Sequence, residues 1–149
     1  MAGPTDETPE RVLLGVSVCI FRADEVLLIE RGKAPGIGRW APVGGGIEAG
    51  ESAEEAALRE VAEEVAVAIR LIGRVGTREI RPEPPPADGP RRIVLEVFAA
   101  DWVAGEPAAG SDAAAARFVS LDRLAEVPLM AGVEPWIRAA RRLFDGVER

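Results

Sequence analysis

A glycine-rich run that opens directly into a helix constrains this chain more than any other stretch. Residues 44–67 read Gly-Gly-Gly-Ile-Glu-Ala-Gly-Glu-Ser-Ala-Glu-Glu-Ala-Ala-Leu-Arg-Glu-Val-Ala-Glu-Glu-Val-Ala-Val. The glycines permit backbone paths closed to other residues, and Ser52 answered by Glu55 forms a capping box ahead of strong helix formers. A helix begins there. At about 100° per residue, Leu58, Val61, Ala62 and Val65 share one side, while Glu60, Glu63 and Glu64 cluster on the other. Like charges at these spacings destabilise an isolated helix by roughly a few tenths of a kcal/mol per pair. The patch is either a solvated acidic face or a seat for a hard divalent cation. Magnesium suits it, because that ion takes oxygen ligands, keeps several waters and commonly completes its shell with substrate phosphate.

The flanking loop decides between these readings. Counted from Gly45, five residues lead to Glu51 and seven more to Arg59-Glu60; then follow Val61, Glu63-Glu64, Ala66 and Val67. This spacing resembles the Nudix box of the Nudix hydrolases. Ala66 departs from the pattern, which has glycine there to serve a helix C-terminal turn at positive φ. The resemblance implies an α/β fold, the Nudix α/β/α sandwich with a mixed β-sheet between helices. It also implies Mg2+, with Mn2+ able to substitute, held by Glu60, Glu63, Glu64 and the Gly44 carbonyl. Arg59 would brace the loop and carboxylates, and Glu51 would either bind metal or pair with Arg59.

Composition narrows the chemistry further. The 149 residues suit one domain, expected over 11–149 behind a loose tail at 1–10, and 48% are hydrophobic, enough for a core. No run reaches the roughly 18 apolar residues of a membrane span, and the N-terminus lacks the regions of a signal peptide, so no membrane partner and a cytoplasmic location are expected. A net charge of −7 argues against nucleic acid as partner. A homodimer stays open. Histidine is absent, which excludes His triads, His bases and His-containing zinc sites; carboxylates, lysine and metal-bound water remain. Cys19, the only cysteine, lies in an apolar run and reads as a buried thiol.

Elsewhere, apolar β-branched runs predict a hairpin of strands at 11–21, buried on both faces, and 26–30. The basic loop 31–40 carries Arg31, Lys33 and Arg39, either phosphate donors or solvated charges, and ends at Trp40, read as packing. Gly45 serves the tight turn and lets the main chain approach phosphate. A strand with irregularities at Gly73 and Gly76 is expected over 67–81. The proline-rich segment 81–92 reads as a mobile loop. In the next strand, 93–103, Glu96 either faces the box helix as a substrate contact or faces solvent. The segment 105–124 resembles an acidic loop and short strand of Nudix hydrolases related to ADP-ribose pyrophosphatases. There Asp112 is the loop acid, while Ala115 stands where relatives often carry one. Residues 132–145 have the spacing of an amphipathic helix.

The reaction implied is magnesium-dependent hydrolysis of a nucleoside diphosphate linked to another moiety, ADP-ribose or an NDP-sugar favoured, with Glu63, Glu64, Arg59 and Asp112 as catalytic residues. The alternatives are a (deoxy)nucleoside triphosphate pyrophosphohydrolase and a non-catalytic nucleotide-binding domain.

Overall fold

The computed structural model describes residues 9–110 and 112–147; most of the expected tail lies outside them. The elements run β1 (Arg11–Arg22), β2 (Glu25–Arg31), β3 (Trp40–Ala41), β4 (Val43–Gly46), α1 (Ala53–Glu64), β5 (Ala68–Ile80), β6 (Arg91–Ala104), β7 (Ala113–Ser120), a 3₁₀ turn (Leu121–Glu126) and α2 (Val133–Gly146). They build one mixed sheet in the order β3-β2-β1-β6-β5, with β4 added to β1 and β7 to β2. Only β1 and β6 run parallel, in register from Arg11↔Arg91 to Phe21↔Asp101. No helix among the described residues is long and apolar enough to cross a membrane.

Strand alternation divides β1 between two cores. Val16, Val18 and Ile20 face α1 and pack with Ala56, Ala57 and Val61, whereas Cys19 and Phe21 face α2 and pack with Ile137, Ala140 and Phe144. This is the expected layered architecture. Burial pushes the Cys19 thiol up to about 12, which leaves it a packing residue.

The first residues of β1 correct the expectation of two covered faces. Val12 and Leu14 are 45% and 57% exposed. The reason is length: the 12 residues of α1 reach about 18 Å, while the 12 of β1 extend about 40 Å. The strand outruns its cover.

The loop 31–40 does not run straight into the glycines. β1 and β2 pair only at Phe21↔Val26 and Arg22↔Glu25 before they diverge. β4 then takes the edge of β1, from Gly15↔Gly46 to Val18↔Val43, and β3 takes that of β2. Neither short strand was legible in the sequence. Pro42, which has no N–H to give a ladder, separates them. Trp40 is buried in the α2-side core with the Arg117 guanidinium 4.6 Å above its ring.

On β5 one register shift falls between Ala68 and Ile69, and two, as the glycines predict, fall between Leu71 and Gly73 and between Arg74 and Gly76. Trp136 of α2 lies over Gly76, where a Cβ would meet its ring at 3.3 Å. The 81–92 segment carries exposed ion pairs to the start of the described chain. Arg11 and Arg91 both bond Asp88, at 3.1 and 3.0 Å, and Arg81 bonds Glu10 at 2.9 Å, so residue 10 of the expected tail is also engaged.

Candidate active site

The capping box forms as predicted: Ser52 accepts from the Glu55 amide, and the Glu55 carboxylate accepts from the Ser52 amide. The rotation of α1 does not match the pattern. Ala56, Ala57, Val61 and Val65 are buried, yet Leu58 is 48% exposed and Ala62 is exposed. The helix presses its small residues to the sheet, and this turns Glu60 and Glu64 inward beside Ala57 and Val61. A Cβ on Gly45 would collide with the Glu60 carboxylate. Gly45 therefore lets the side chain lie on the main chain.

Arg59 organises the outer half of the site. It bonds Glu51 through Nε at 2.6 Å and Nη2 at 2.9 Å, the Gly46 carbonyl at 2.8 Å, Glu60 at 3.0 Å and Glu63 at 3.2 Å. Glu51 also accepts from the Glu48 amide at 2.9 Å, which closes the loop before the helix. The Arg59 hydrogen bonds, then the Glu48 amide, hold the Glu51 carboxyl down at about 2. Glu51 thus pairs with Arg59, one of its two expected roles. Glu63, with its side chain 60% exposed, stays on the outer side with Arg59. The three glutamates do not form one patch: two converge inward and one remains outside.

Glu64 has the opposite environment. Burial above all, then the charges of Glu60 and Asp112, push its carboxyl up to about 7, against the Gly44 amide and Arg31. Its Oε1 is buried without a hydrogen-bond partner. Glu60 is raised in the same sense, by burial, against the hydrogen bond from Arg59.

The loop after β6 is stapled to the end of α1. Ala108 donates to the Val65 carbonyl at 3.0 Å and Gly110 to the Glu64 carbonyl at 2.8 Å. This brings Asp112 to the site, where Lys33 meets it at 2.8 Å. The Lys33 hydrogen bond holds the Asp112 carboxyl below its usual range. Ala66 adopts φ 58° although it is not glycine, so the departure in the box changes the residue and not the turn.

A cleft of about 910 Å³ reaches Glu64, while Arg59, Glu60 and Glu63 lie outside its lining. Arg31, Lys33, Gly44, Gly45, Glu64 and Asp112 are among the residues that line it. Arg31 is held by the Pro35 carbonyl at 2.7 Å. Two expected contacts do not line it. Arg39 is exposed and only its main chain closes the basic loop, to Arg31 and Gly36. Glu96 does share the face of Phe98, towards α1, but it is taken by Thr77 at 2.9 Å and Arg74 at 3.6 Å. Other lining residues, Arg78, Met130 and Trp136, carried no sequence signal, since an arginine on a strand and a tryptophan on an amphipathic helix read as surface and core.

Among the described residues no three acidic or cysteine side chains are close enough to cage an ion by themselves. A magnesium ion needs no such cage, because one or two carboxylates, waters and substrate phosphates complete its shell. The inward Glu60 and Glu64, with a partnerless buried oxygen on the latter, fit that requirement.

A glycine loop, a capped helix with two inward carboxylates, and a basic loop come together around one end of the box helix. The chain belongs to the NUDIX hydrolase family: the NUDIX domain matches residues 12–140. Enzymes of this family generally use divalent metal ions. An ADP-ribose pyrophosphatase of Methanocaldococcus jannaschii is 33% identical over 111 residues, 74% of this chain and 63% of the relative. The NAD-capped RNA hydrolase NudC of Pseudomonas aeruginosa is 32% identical over 86% of this chain and 41% of its own length. The chain thus spans about two fifths to three fifths of these curated relatives. The crystal structure of a MutT NUDIX hydrolase from Burkholderia pseudomallei superposes with a TM-score of 0.72 at 27% identity, over 87% of this chain and 98% of that one.

Proposed function

We propose that this chain hydrolyses a phosphoanhydride in a nucleoside diphosphate linked to another moiety, ADP-ribose or an NDP-sugar, with magnesium as the preferred ion. The observation that carries the reading is the buried, partnerless oxygen of Glu64 beside Gly44 at the end of a cleft that also holds Arg31 and Lys33. Glu60, Glu64 and the Gly44 carbonyl would hold the ion, while Glu63 stays outside with Arg59. When bound, the ion supplies charge screening of the diphosphate and a lowered pKa for water.

The chain's own groups do the rest. Arg59 keeps Glu60 and the Gly46 turn in place through the contacts above. Arg31 is held by a carbonyl rather than a carboxylate, so its remaining donors are available to phosphate. Lys33 leaves Asp112 for an incoming phosphate oxygen, and Asp112, released from the charge that suppresses its basicity, takes the proton of the attacking water. Water attacks phosphorus, the anhydride oxygen leaves, and two phosphate-bearing products result.

The test is a nucleotide panel with magnesium and product identification, beside Glu64→Gln. AMP plus ribose phosphate from ADP-ribose supports the reading. Monophosphate plus pyrophosphate from triphosphates alone would make the chain a triphosphate pyrophosphohydrolase, and binding with no turnover of any nucleotide would make it a binding domain.

A further inference from the structure

The cleft that holds Glu64 also carries a cation that the phosphate chemistry does not use. β5 presents arginines at positions 70, 74 and 78. Arg70 pairs with Asp101 at 3.2 Å and Arg74 with Glu96 at 3.6 Å. Arg78 differs. Its Nη2 donates to the Ala131 carbonyl at 2.9 Å, and among the described residues it has no carboxylate partner. A Cβ on Gly132 would meet this nitrogen at 2.8 Å, so the guanidinium is seated closely against the turn before α2. Burial draws its pKa below the ordinary arginine value.

The surroundings say what this group can take. Trp136, Met130, Leu95 and Ile80 line the same cleft. Arg81 beside Ile80 is already paired with Glu10 at 2.9 Å, so a lone phosphate there would lose its water against apolar walls with one unpaired cation to compensate, which is unfavourable. A flat ring buries well against such walls. The guanidinium offers donors only, in a rigid fork, so the ring edge that matches it carries two adjacent acceptors. A 6-oxopurine does, at O6 and N7. Adenine sets its donor amine beside N7, and cytosine also presents a donor amine.

Resting on the pyrophosphohydrolase reading, we propose that Arg78 is a specificity-determining residue that binds the O6 and N7 edge of a 6-oxopurine nucleoside diphosphate, with the diphosphate directed towards Arg31 and Lys33. Among NDP-linked substrates, those built on guanine or hypoxanthine are then preferred over those built on adenine.

The experiment measures equilibrium binding of GDP, IDP, ADP and 7-deaza-GDP to the wild-type chain and to Arg78→Gln, with magnesium turnover of GDP-mannose and ADP-ribose alongside. GDP and IDP are expected to bind about tenfold or more tightly than ADP and 7-deaza-GDP, the loss of one good edge contact. Arg78→Gln is expected to abolish that ratio and, separately, to raise KM for GDP-mannose with kcat held within about threefold. Equal or tighter binding of ADP by the wild-type chain overturns the assignment, and this comparison needs no variant that folds. Turnover of both substrates with no base preference overturns the role of Arg78 alone and leaves the pyrophosphohydrolase reading standing. Absence of binding and turnover for every nucleotide overturns both.

Discussion

Arg59 and Glu64 lie five residues apart on one helix and occupy opposite electrostatic conditions. Around Arg59 every strong donor has an acceptor: Glu51, Gly46, Glu60 and Glu63. Around Glu64 a carboxylate oxygen is buried with nothing to accept from. The first arrangement is complete within the chain and holds the loop in shape. The second is complete only with something else present, since an unpaired buried charge is unfavourable. Satisfied charges mark the scaffold here, and unsatisfied ones mark where a ligand belongs. Arg74 and Arg78 on β5 repeat the contrast, one paired with Glu96 and the other open to the cleft.

The largest test of this contrast is Glu64→Gln. Magnesium-dependent turnover is expected to fall by about 10²–10³-fold, the scale of losing one electrostatic element of an active site. The same change is expected to stabilise the metal-free protein at pH 7.5 by about 1–2 kcal/mol, the part of the pKa shift that survives solvent screening. Calorimetry and kinetics together decide it; a variant that loses both stability and activity would mean that Glu64 belongs to the scaffold after all.

Arg59→Lys comes next. A lysine keeps the charge but cannot reach Glu51, Gly46 and Glu60 with one planar fork. Turnover should drop about 10–100-fold, as for loss of a group that orients ligands, with looser amide exchange in residues 46–52. An unchanged rate with unchanged exchange would dissolve the distinction between the two regions.

A third test varies pH without magnesium. The raised carboxyl of Glu64 gives stability that is full below its ordinary 4.5 and is lost as pH climbs towards about 7. The lowered carboxyl of Glu51 gives stability that is present above 4.5 and lost as pH falls towards about 2. Thermal melts should therefore peak in mildly acid buffer, with Glu64→Gln flattening the neutral limb and Glu51→Gln the acid limb. If each variant altered the other limb, the assignment of the two environments would be reversed.

The smallest effect is at Ala66. A left-handed φ costs a non-glycine residue roughly 1–2 kcal/mol, partly offset by the extra chain entropy of glycine in the unfolded state. Ala66→Gly should stabilise the chain by about 0.5–1 kcal/mol on chemical denaturation and leave turnover unchanged. A loss of stability would mean that the turn at 66 is held by the alanine methyl.

Much of this molecule was readable in advance because local chemistry decided it. The Ser52–Glu55 box, the bulges at Gly73 and Gly76, and the α2 face of Val133, Ile137, Ala140 and Phe144 follow from capping, missing side chains and periodicity. What was misread depended on partners far along the chain. The helical pattern assigned Leu58 inward and the glutamates outward; contact with Gly45 and the sheet turned the helix otherwise. Two alternatives that the sequence left open turned on distant partners as well: Glu96 faces the helix but is engaged by Thr77 and Arg74, and Arg39 is an exposed charge whose main chain closes the loop.

By itself the sequence determined which residues could do chemistry: no histidine, a single inert thiol, and carboxylates at fixed spacing behind a glycine loop. Periodicity and capping act over a few residues, so composition and spacing suffice for such choices. Only the tertiary structure decided which of those carboxylates is deprived of partners, and that Arg78 shares a cleft with Glu64 from a strand beyond the helix. Desolvation depends on everything packed around a group, and no stretch of sequence contains its own surroundings.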